Sequence, residues 1–89
     1  MKRHRLDTNH TDIVKALETF GASALSLASV GGGAGDLLVG FRKANYLLEV
    51  KSSSKKKLRV TQVKFRDLWR GQYARVDSPE DALRAIGAM

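Results

Sequence analysis

Residues 36–51 read DLLVGFRKANYLLEVK, and this stretch decides the fold. It contains two apolar segments, 36–40 and 45–51, whose apolar residues fall on both faces of an extended chain. Strands of this kind are usually covered on both faces. The segment between them, 41–44, is short enough for a hairpin loop, so we predict that the two strands pair antiparallel.

The register of this hairpin determines which polar groups share a face. If Gly40 pairs with Asn45, Asp36 lies directly opposite Glu49, and their Cβ atoms are about 4.5–5.5 Å apart. Lys51 points to the same face, because it lies two residues beyond Glu49 in the same strand. Two opposed carboxylates destabilise an apolar sheet, and a divalent cation between them removes the repulsion. The chain has no cysteine and only two histidines, so the carboxylate oxygens are the expected ligands. Oxygen ligands favour Mg²⁺ or Mn²⁺ over zinc.

The patterns on either side of the hairpin predict the other elements. Apolar spacing of three and four residues indicates helices over 9–20 and from 62 to a stop at 71, and a Ser-Pro start indicates a third from 78. Short apolar runs predict strands over 22–28 and 72–76. We therefore predict an α/β fold in the order α-β-β-β-α-β-α, with a central mixed sheet flanked by helices. It forms a single domain over 1–89 with its core at about 7–87.

Composition limits the class of protein. The 89 residues carry 16 Lys and Arg against 9 Asp and Glu, a net charge of +7. One small domain fits this length, and the lack of cysteine excludes disulfides and a thiol nucleophile. No apolar stretch is long enough to span a bilayer, and the basic N-terminus lacks the apolar region of a secretory signal. We expect an intracellular protein with no membrane association.

The positive charge is concentrated in one segment. Residues 51–75 contain nine basic residues and one acidic residue, whereas residues 7–49 are net acidic. A basic block of this kind favours a polyanionic partner such as nucleic acid. A solvated Lys/Ser loop remains an alternative for residues 51–59.

Each candidate site residue also has an explanation without a function in catalysis. Asp36 could be an ordinary Asp at a strand entry, and Glu49 with Lys51 could be a solvated ion pair on an edge strand. Gln62 could be a solvated residue at a helix end. The glycine-rich segment 31–35 lacks the Gly-Lys-Ser/Thr of a phosphate loop, so we expect no nucleotide cofactor.

Taken together, these residues resemble a known pattern. Gly35-Asp36, twelve further residues and then Glu49-Val50-Lys51 resemble the signature of the PD-(D/E)xK nucleases. Over roughly residues 7–87 the chain resembles the small stand-alone VRR-NUC domains of phages and bacteria. The ordered features that carry this resemblance are the acidic Asp12 in the first helix, GGAGDLLVG at 32–40, YLLEVK at 46–51, Leu58 followed by Gln62, and Trp69-Arg70-Gly71.

The resemblance implies a Mg²⁺-dependent endonuclease, similar to Holliday-junction resolvases, that acts on branched DNA as a homodimer in the cytoplasm of a bacterial cell or phage-infected host. Mn²⁺ is expected to substitute for Mg²⁺. The resemblance further implies roles for individual residues. Asp36, Glu49, the Val50 carbonyl and Asp12 would bind the metal, Lys51 would position the attacking water, and Gln62 would support the site. The basic residues expected to hold the DNA backbone are Lys55, Lys56, Lys57, Arg59 and Lys64.

Two positions depart from the family pattern. Gly35 stands in place of the usual Pro before the Asp, which predicts a looser approach to the metal. Arg59 stands where a helix-capping Thr is common, which predicts a shifted cap at Thr61.

Two other functions stay open from the residues alone. One is a non-catalytic basic module that binds DNA or RNA, and the other is a nuclease subunit that requires a partner protein.

Overall fold

The computed structural model describes residues 8–89, so residues 1–7 of the predicted domain lie outside the described part. The element order is α-β-β-β-α-β-α, as predicted. The elements are α1 (Thr8–Thr19), β1 (Ser23–Ser26), β2 (Leu37–Phe41), β3 (Ala44–Val50), α2 (Val60–Leu68), β4 (Tyr73–Val76) and α3 (Pro79–Ala85). The strands form one sheet in the order β1-β2-β3-β4. Because β1, β2 and β3 pair antiparallel while β4 runs parallel to β3, the predicted mixed sheet is confirmed.

The hairpin of β2 and β3 has the predicted register but a tighter turn. Gly40 pairs with Asn45, as predicted from the sequence. The prediction of a four-residue loop is wrong, because Phe41 is buried in the core and pairs with Ala44. Only Arg42 and Lys43 remain in the turn, with φ angles of 51° and 68°. Positive φ at both positions is typical of the type I′ turn, whose twist matches the flanking strands.

The hydrophobic core lies on one face of the sheet. Alternate residues of β2 point to this face, which α1 and α3 cover. In α1, Ile13 and Leu17 are fully buried, since a spacing of four residues places them on the same side of a helix. The other core side chains are Ala22, Leu37, Val39, Phe41, Leu48, Val76, Ala82, Leu83 and Ile86.

The opposite face of the sheet is covered only in part, by α2. Phe65 of α2 packs against Tyr73 of β4 with ring centroids 5.4 Å apart, and Leu47 of the central strand β3 is buried. Towards β1 the face is open, and Leu25 is 60% exposed. The expectation that β2 and β3 are covered on both faces therefore holds for β3, whereas Leu38 of β2 is only half-buried on this face, because α2 is short and lies towards β3 and β4.

The helix ends follow local chemistry. The Ser78 hydroxyl accepts a hydrogen bond from the Asp81 N–H at 3.0 Å, which caps α3 as predicted. The prediction that Thr61 caps the start of α2 is wrong, because Thr61 lies inside that helix. Arg59 precedes the helix, and its backbone N–H donates to Oε1 of Gln62 at 2.7 Å. In the part of the chain that the structure describes, no helix combines the length and the apolar character needed to cross a membrane.

Candidate active site

Asp36 and Glu49 meet at the end of the hairpin where β2 begins. The Asp36 N–H donates to the Leu48 carbonyl at 2.8 Å, one residue out of the register in which Leu37 pairs with Leu48. The Asp36 Oδ2 atom accepts a hydrogen bond from the Val50 N–H at 2.7 Å. Glu49 is buried, with 6% of its surface exposed. The structure thus brings together the two carboxylates that the sequence placed opposite each other.

The electrostatics of this pair are unfavourable for two free carboxylates. Burial raises the pKa of Glu49, and the negative charge of Asp36 raises it further. The ammonium of Lys51 acts in the opposite direction without cancelling these two effects. Burial and the neighbouring carboxylate thus both disfavour the charged form of Glu49, and a bound cation would offset both effects.

Lys51 and Gln62 form the second part of the site. Lys51 Nζ lies 3.3 Å from Glu49 Oε2 and donates a hydrogen bond to Gln62 Oε1 at 2.9 Å. Gln62 is 3% exposed and belongs to the first turn of α2, so that helix is tied to the end of β3. The alternatives of a solvated Gln62 and of a solvated ion pair on an edge strand do not fit, because these side chains are buried beside a central strand.

The Val50 carbonyl faces the same side. In an extended strand the N–H and C=O of one residue point in the same direction. Since the Val50 N–H donates to Asp36, its carbonyl is also directed to the Asp36 side of β3. The acidic pair opens into a cleft of about 160 Å³, whose walls include Leu27, Ala28, Gly31, Gly33, Gly35, Asp36, Glu49, Arg59 and Gln62.

Two glycines shape the loop that leads into the site. At Gly33, φ is +83° and a Cβ atom would lie 2.6 Å from the Thr61 carbonyl oxygen, so the loop lies directly against the start of α2. At Gly35, φ is +106° and a Cβ atom would lie 3.0 Å from the Leu48 carbonyl oxygen. The expectation that Gly35 loosens the approach to the metal stays a prediction. The backbone is closely packed there, in a conformation that a proline, fixed near φ −65°, cannot adopt.

Three residues that support the site were not predicted from the sequence. The Tyr73 hydroxyl donates to the Gly33 carbonyl at 3.0 Å. Burial and the charges of Glu49 and Asp36 raise the pKa of Tyr73 to about 12, so the phenol keeps its proton at neutral pH. The Asn9 side chain donates to the carbonyls of Lys51 at 2.7 Å and of Asp77 at 2.9 Å. It thereby joins the carboxyl ends of β3 and β4.

The third of these residues, Arg75, holds the basic loop, which comprises residues 51–59 between β3 and α2. Its guanidinium donates to the Ser53 carbonyl at 2.7 Å and to the Lys56 carbonyl, and it pairs with Asp77 at 2.6 Å. In the sequence Arg75 is one of many cations, and only the parallel pairing of β3 with β4 reveals its position opposite Glu49.

The structure does not bring Asp12 to the acidic pair. Asp12 is exposed on α1, which packs against the other face of the sheet through Ile13 and Leu17. Within residues 8–89, no group of three or more His, Asp and Glu side chains forms a site that could hold a metal. The basic residues named from the sequence all lie at the surface, namely Lys55, Lys56, Lys57, Arg59 and Lys64.

The four-stranded mixed sheet and its three helices define a small α/β domain. A solved structure described as "VRR_NUC domain" shares the fold with a TM-score of 0.70 and 24% sequence identity, over 86% of this chain and 88% of that one. The resemblance inferred from the residues is thereby confirmed at the level of the fold. No family model matches the sequence, and no curated protein does.

Proposed function

We propose that the protein is a metal-dependent endonuclease that hydrolyses phosphodiester bonds in DNA. The observation that carries the proposal is the convergence of Asp36 and buried Glu49 beside Lys51 at the wall of a polar cleft. The fold shared with a VRR_NUC domain supports the same conclusion. These groups match the residues that metal-assisted hydrolysis requires.

The donor set fits a hard divalent cation. Asp36, Glu49 and the Val50 carbonyl offer oxygen atoms, the ligands that Mg²⁺ prefers, and Mn²⁺ accepts the same set. Asp36 uses Oδ2 for the Val50 N–H, which leaves Oδ1 for a metal. When bound, the cation supplies a polarised phosphate, stabilisation of the developing charge and a more acidic water.

Lys51 would act on the attacking water. An ammonium group has three N–H donors, of which one faces Glu49 and one is bound by Gln62. The third donor is free to orient a water molecule beside the acidic pair. Gln62 acts through Lys51 and is therefore a positioning residue.

The basic surface would hold the substrate. Lys55, Lys56 and Lys57 lie on the exposed loop before α2, and Lys64 lies on that helix. Arg59 lines the cleft itself, next to the acidic pair. Contacts from such side chains to phosphates carry no sequence information, so cleavage selects DNA structure rather than sequence.

The preferred substrate we propose is branched DNA such as a Holliday junction, cut by a homodimer. A junction with two-fold symmetry is matched by two copies related by the same symmetry. The exposed Leu25 and Trp69 offer apolar surface to a second copy. The cellular location we propose, as the family resemblance implies, is the cytoplasm of a bacterial cell or of a phage-infected host.

A cleavage assay tests the proposal. Labelled four-way junction, flap and linear duplex are incubated with the protein in Mg²⁺ or EDTA, alongside Asp36→Asn, Lys51→Ala and the surface control Lys15→Ala. We expect Mg²⁺-dependent cleavage that falls by about 100-fold or more in the two site variants and is unchanged in the control. Undiminished cleavage by Lys51→Ala, or no metal-dependent cleavage of any substrate, would overturn it. Retained DNA binding without cleavage would favour the non-catalytic module.

A further inference from the structure

A second cavity, of about 440 Å³, lies on the neighbouring side of α2 from the acidic pair. Gln62 points to the acidic pair, whereas the next residue, Val63, lines the second cavity together with Arg66 one turn later. The opposite wall consists of Lys56, Lys57 and Leu58 from the basic loop and of Arg75 from β4. Because Arg75 pairs in register with Glu49, the two cavities border neighbouring strands of the sheet.

The positively charged lining of this cavity favours an anionic ligand. Lys56 and Lys57 line it, and among residues 8–89 neither forms an ion pair and no carboxylate side chain lines the cavity. Arg66 pairs only with Asp67, and both side chains are about half exposed or more, so this pair is weak. Arg75 is bound to Asp77 and to loop carbonyls, so it builds the wall rather than adding a free charge.

The volume and the apolar wall of the second cavity favour a ligand larger than a phosphate ion. Leu58 and Val63 are half-buried and give the cavity an apolar wall between its cations. A volume of this size is typical of sites for small organic ligands, which combine an apolar wall with a few polar contacts. A nucleotide has both parts, an anionic phosphate and an apolar base. In a duplex the bases are stacked inside, so only an unpaired nucleotide presents its base to such a wall.

We propose that this cavity binds an unpaired nucleotide of the substrate strand, close to the scissile phosphate. Its phosphate contacts Lys56, Lys57 and Arg66, and its base packs on Leu58 and Val63. This inference rests on the proposed function, because it assigns the nucleic-acid segment next to the cleavage site. Among branched DNAs, it identifies those with unpaired nucleotides at the branch, such as a flap, as the substrates that fill this cavity.

Binding measurements in EDTA test this assignment without depending on cleavage. Fluorescence anisotropy measures the affinity for three DNAs. They are a blunt duplex, the same duplex with a three-thymidine overhang at either end, and the same duplex with an abasic overhang in place of the thymidines. We expect the protein to bind the thymidine overhang about tenfold more tightly than the abasic one. Val63→Ala should reduce this preference by about fivefold and leave binding to the blunt duplex unchanged.

Two further variants complete the experiment. Val60→Ala is the matched control, because Val60 lies on the same helix, is 70% exposed and does not line the cavity. Lys57→Gln tests the phosphate contact at an exposed loop position outside the helix, and it should weaken binding of the overhang more than binding of the blunt duplex. Equal binding of the abasic and thymidine overhangs, or an equal effect of Val63→Ala on all three DNAs, would overturn the proposal. A protein that binds in this way but does not cleave would contradict only the proposed nuclease activity.

Discussion

Glu49 lies in a central strand with 6% of its surface exposed, next to the carboxylate of Asp36 and the ammonium of Lys51. Its pKa is raised above the ordinary value of 4.5, first by burial and then by Asp36. The folded protein therefore binds this proton more readily than the unfolded chain does. This proton binding contributes to the free energy of unfolding. The contribution is fully present below the ordinary pKa of Glu49 and is lost as the pH rises through the pKa of Glu49 in the folded protein.

The variant Glu49→Gln tests this linkage. Glutamine keeps the shape of the side chain and has no charge to desolvate, so the variant lacks the pH-dependent term. In EDTA, we expect the free energy of unfolding of the wild type, minus that of the variant, to decrease as the pH rises from 4 to 8. Urea denaturation at several pH values gives this difference. A difference that is constant or increases with pH would contradict the assigned pKa direction.

At the residue scale, the sequence revealed the groups whose positions depend on local geometry. Asp36, Glu49 and Lys51 all belong to one hairpin, so strand alternation was enough to place them on a common face. Tyr73 and Arg75 were not found, because their roles depend on the parallel pairing of β4 with β3. Asp12 was assigned through the family resemblance alone, and the structure leaves it exposed on a helix that covers the other face.

At the scale of elements, the turn of the hairpin departs from its ideal sequence. Arg42 and Lys43 both adopt positive φ, which costs an ordinary residue about 1 kcal/mol and costs glycine little. We expect Lys43→Gly to raise the free energy of unfolding by about 0.5 to 1 kcal/mol, as measured by urea denaturation. Ala44→Gly, one residue further into β3, should lower it instead. A destabilised Lys43→Gly would show that the turn is not of type I′.

The glycine loop and α2 form one packed unit. Gly33→Ala would place a methyl group 2.6 Å from the backbone oxygen of Thr61. Gly32→Ala is a matched control, because Gly32 also has positive φ, at +68°, but its Cβ would meet no atom within 4 Å. We expect Gly33→Ala to be less stable than Gly32→Ala by about 1 to 2 kcal/mol in thermal or urea denaturation. Equal stabilities would mean that the loop does not pack on the helix.

The elements that were predicted correctly share strong local signals. The register of β2 and β3 followed from closing the hairpin with Gly40 opposite Asn45, and the start of α3 followed from Ser78 and Pro79. The start of α2 was not predicted correctly, because the buried Gln62 side chain binds the Arg59 N–H and makes a cap at Thr61 unnecessary. A residue that serves both a helix end and a distant lysine cannot be recognised from local pattern.

At the scale of the whole molecule, charge is divided between two tasks. Most of the positive charge comes from the basic segment 51–75, which lies next to, but apart from, the buried acidic pair. The sequence predicted this division, since charge can be counted along the chain. It did not predict the second cavity, which forms only when the basic loop, α2 and β4 meet.

The basic loop should govern the salt dependence of DNA binding. Each phosphate contact contributes a slope of about −0.9 to a plot of log binding constant against log salt. The triple variant Lys55→Gln, Lys56→Gln, Lys57→Gln should therefore reduce the slope by up to about 3 units, measured in EDTA by anisotropy. A triple variant at Lys15, Lys43 and Arg84, all exposed outside this loop, is the control. An unchanged slope in the loop variant would remove these lysines from the DNA interface.

The central claim is that Asp36 and Glu49 bind a divalent cation, and anomalous diffraction from crystals soaked in Mn²⁺ tests it most directly. We expect one anomalous peak between the two carboxylates, on the side of the Val50 carbonyl, and no such peak in crystals of Asp36→Asn. A map of the wild-type protein without a peak between these carboxylates would contradict the claim.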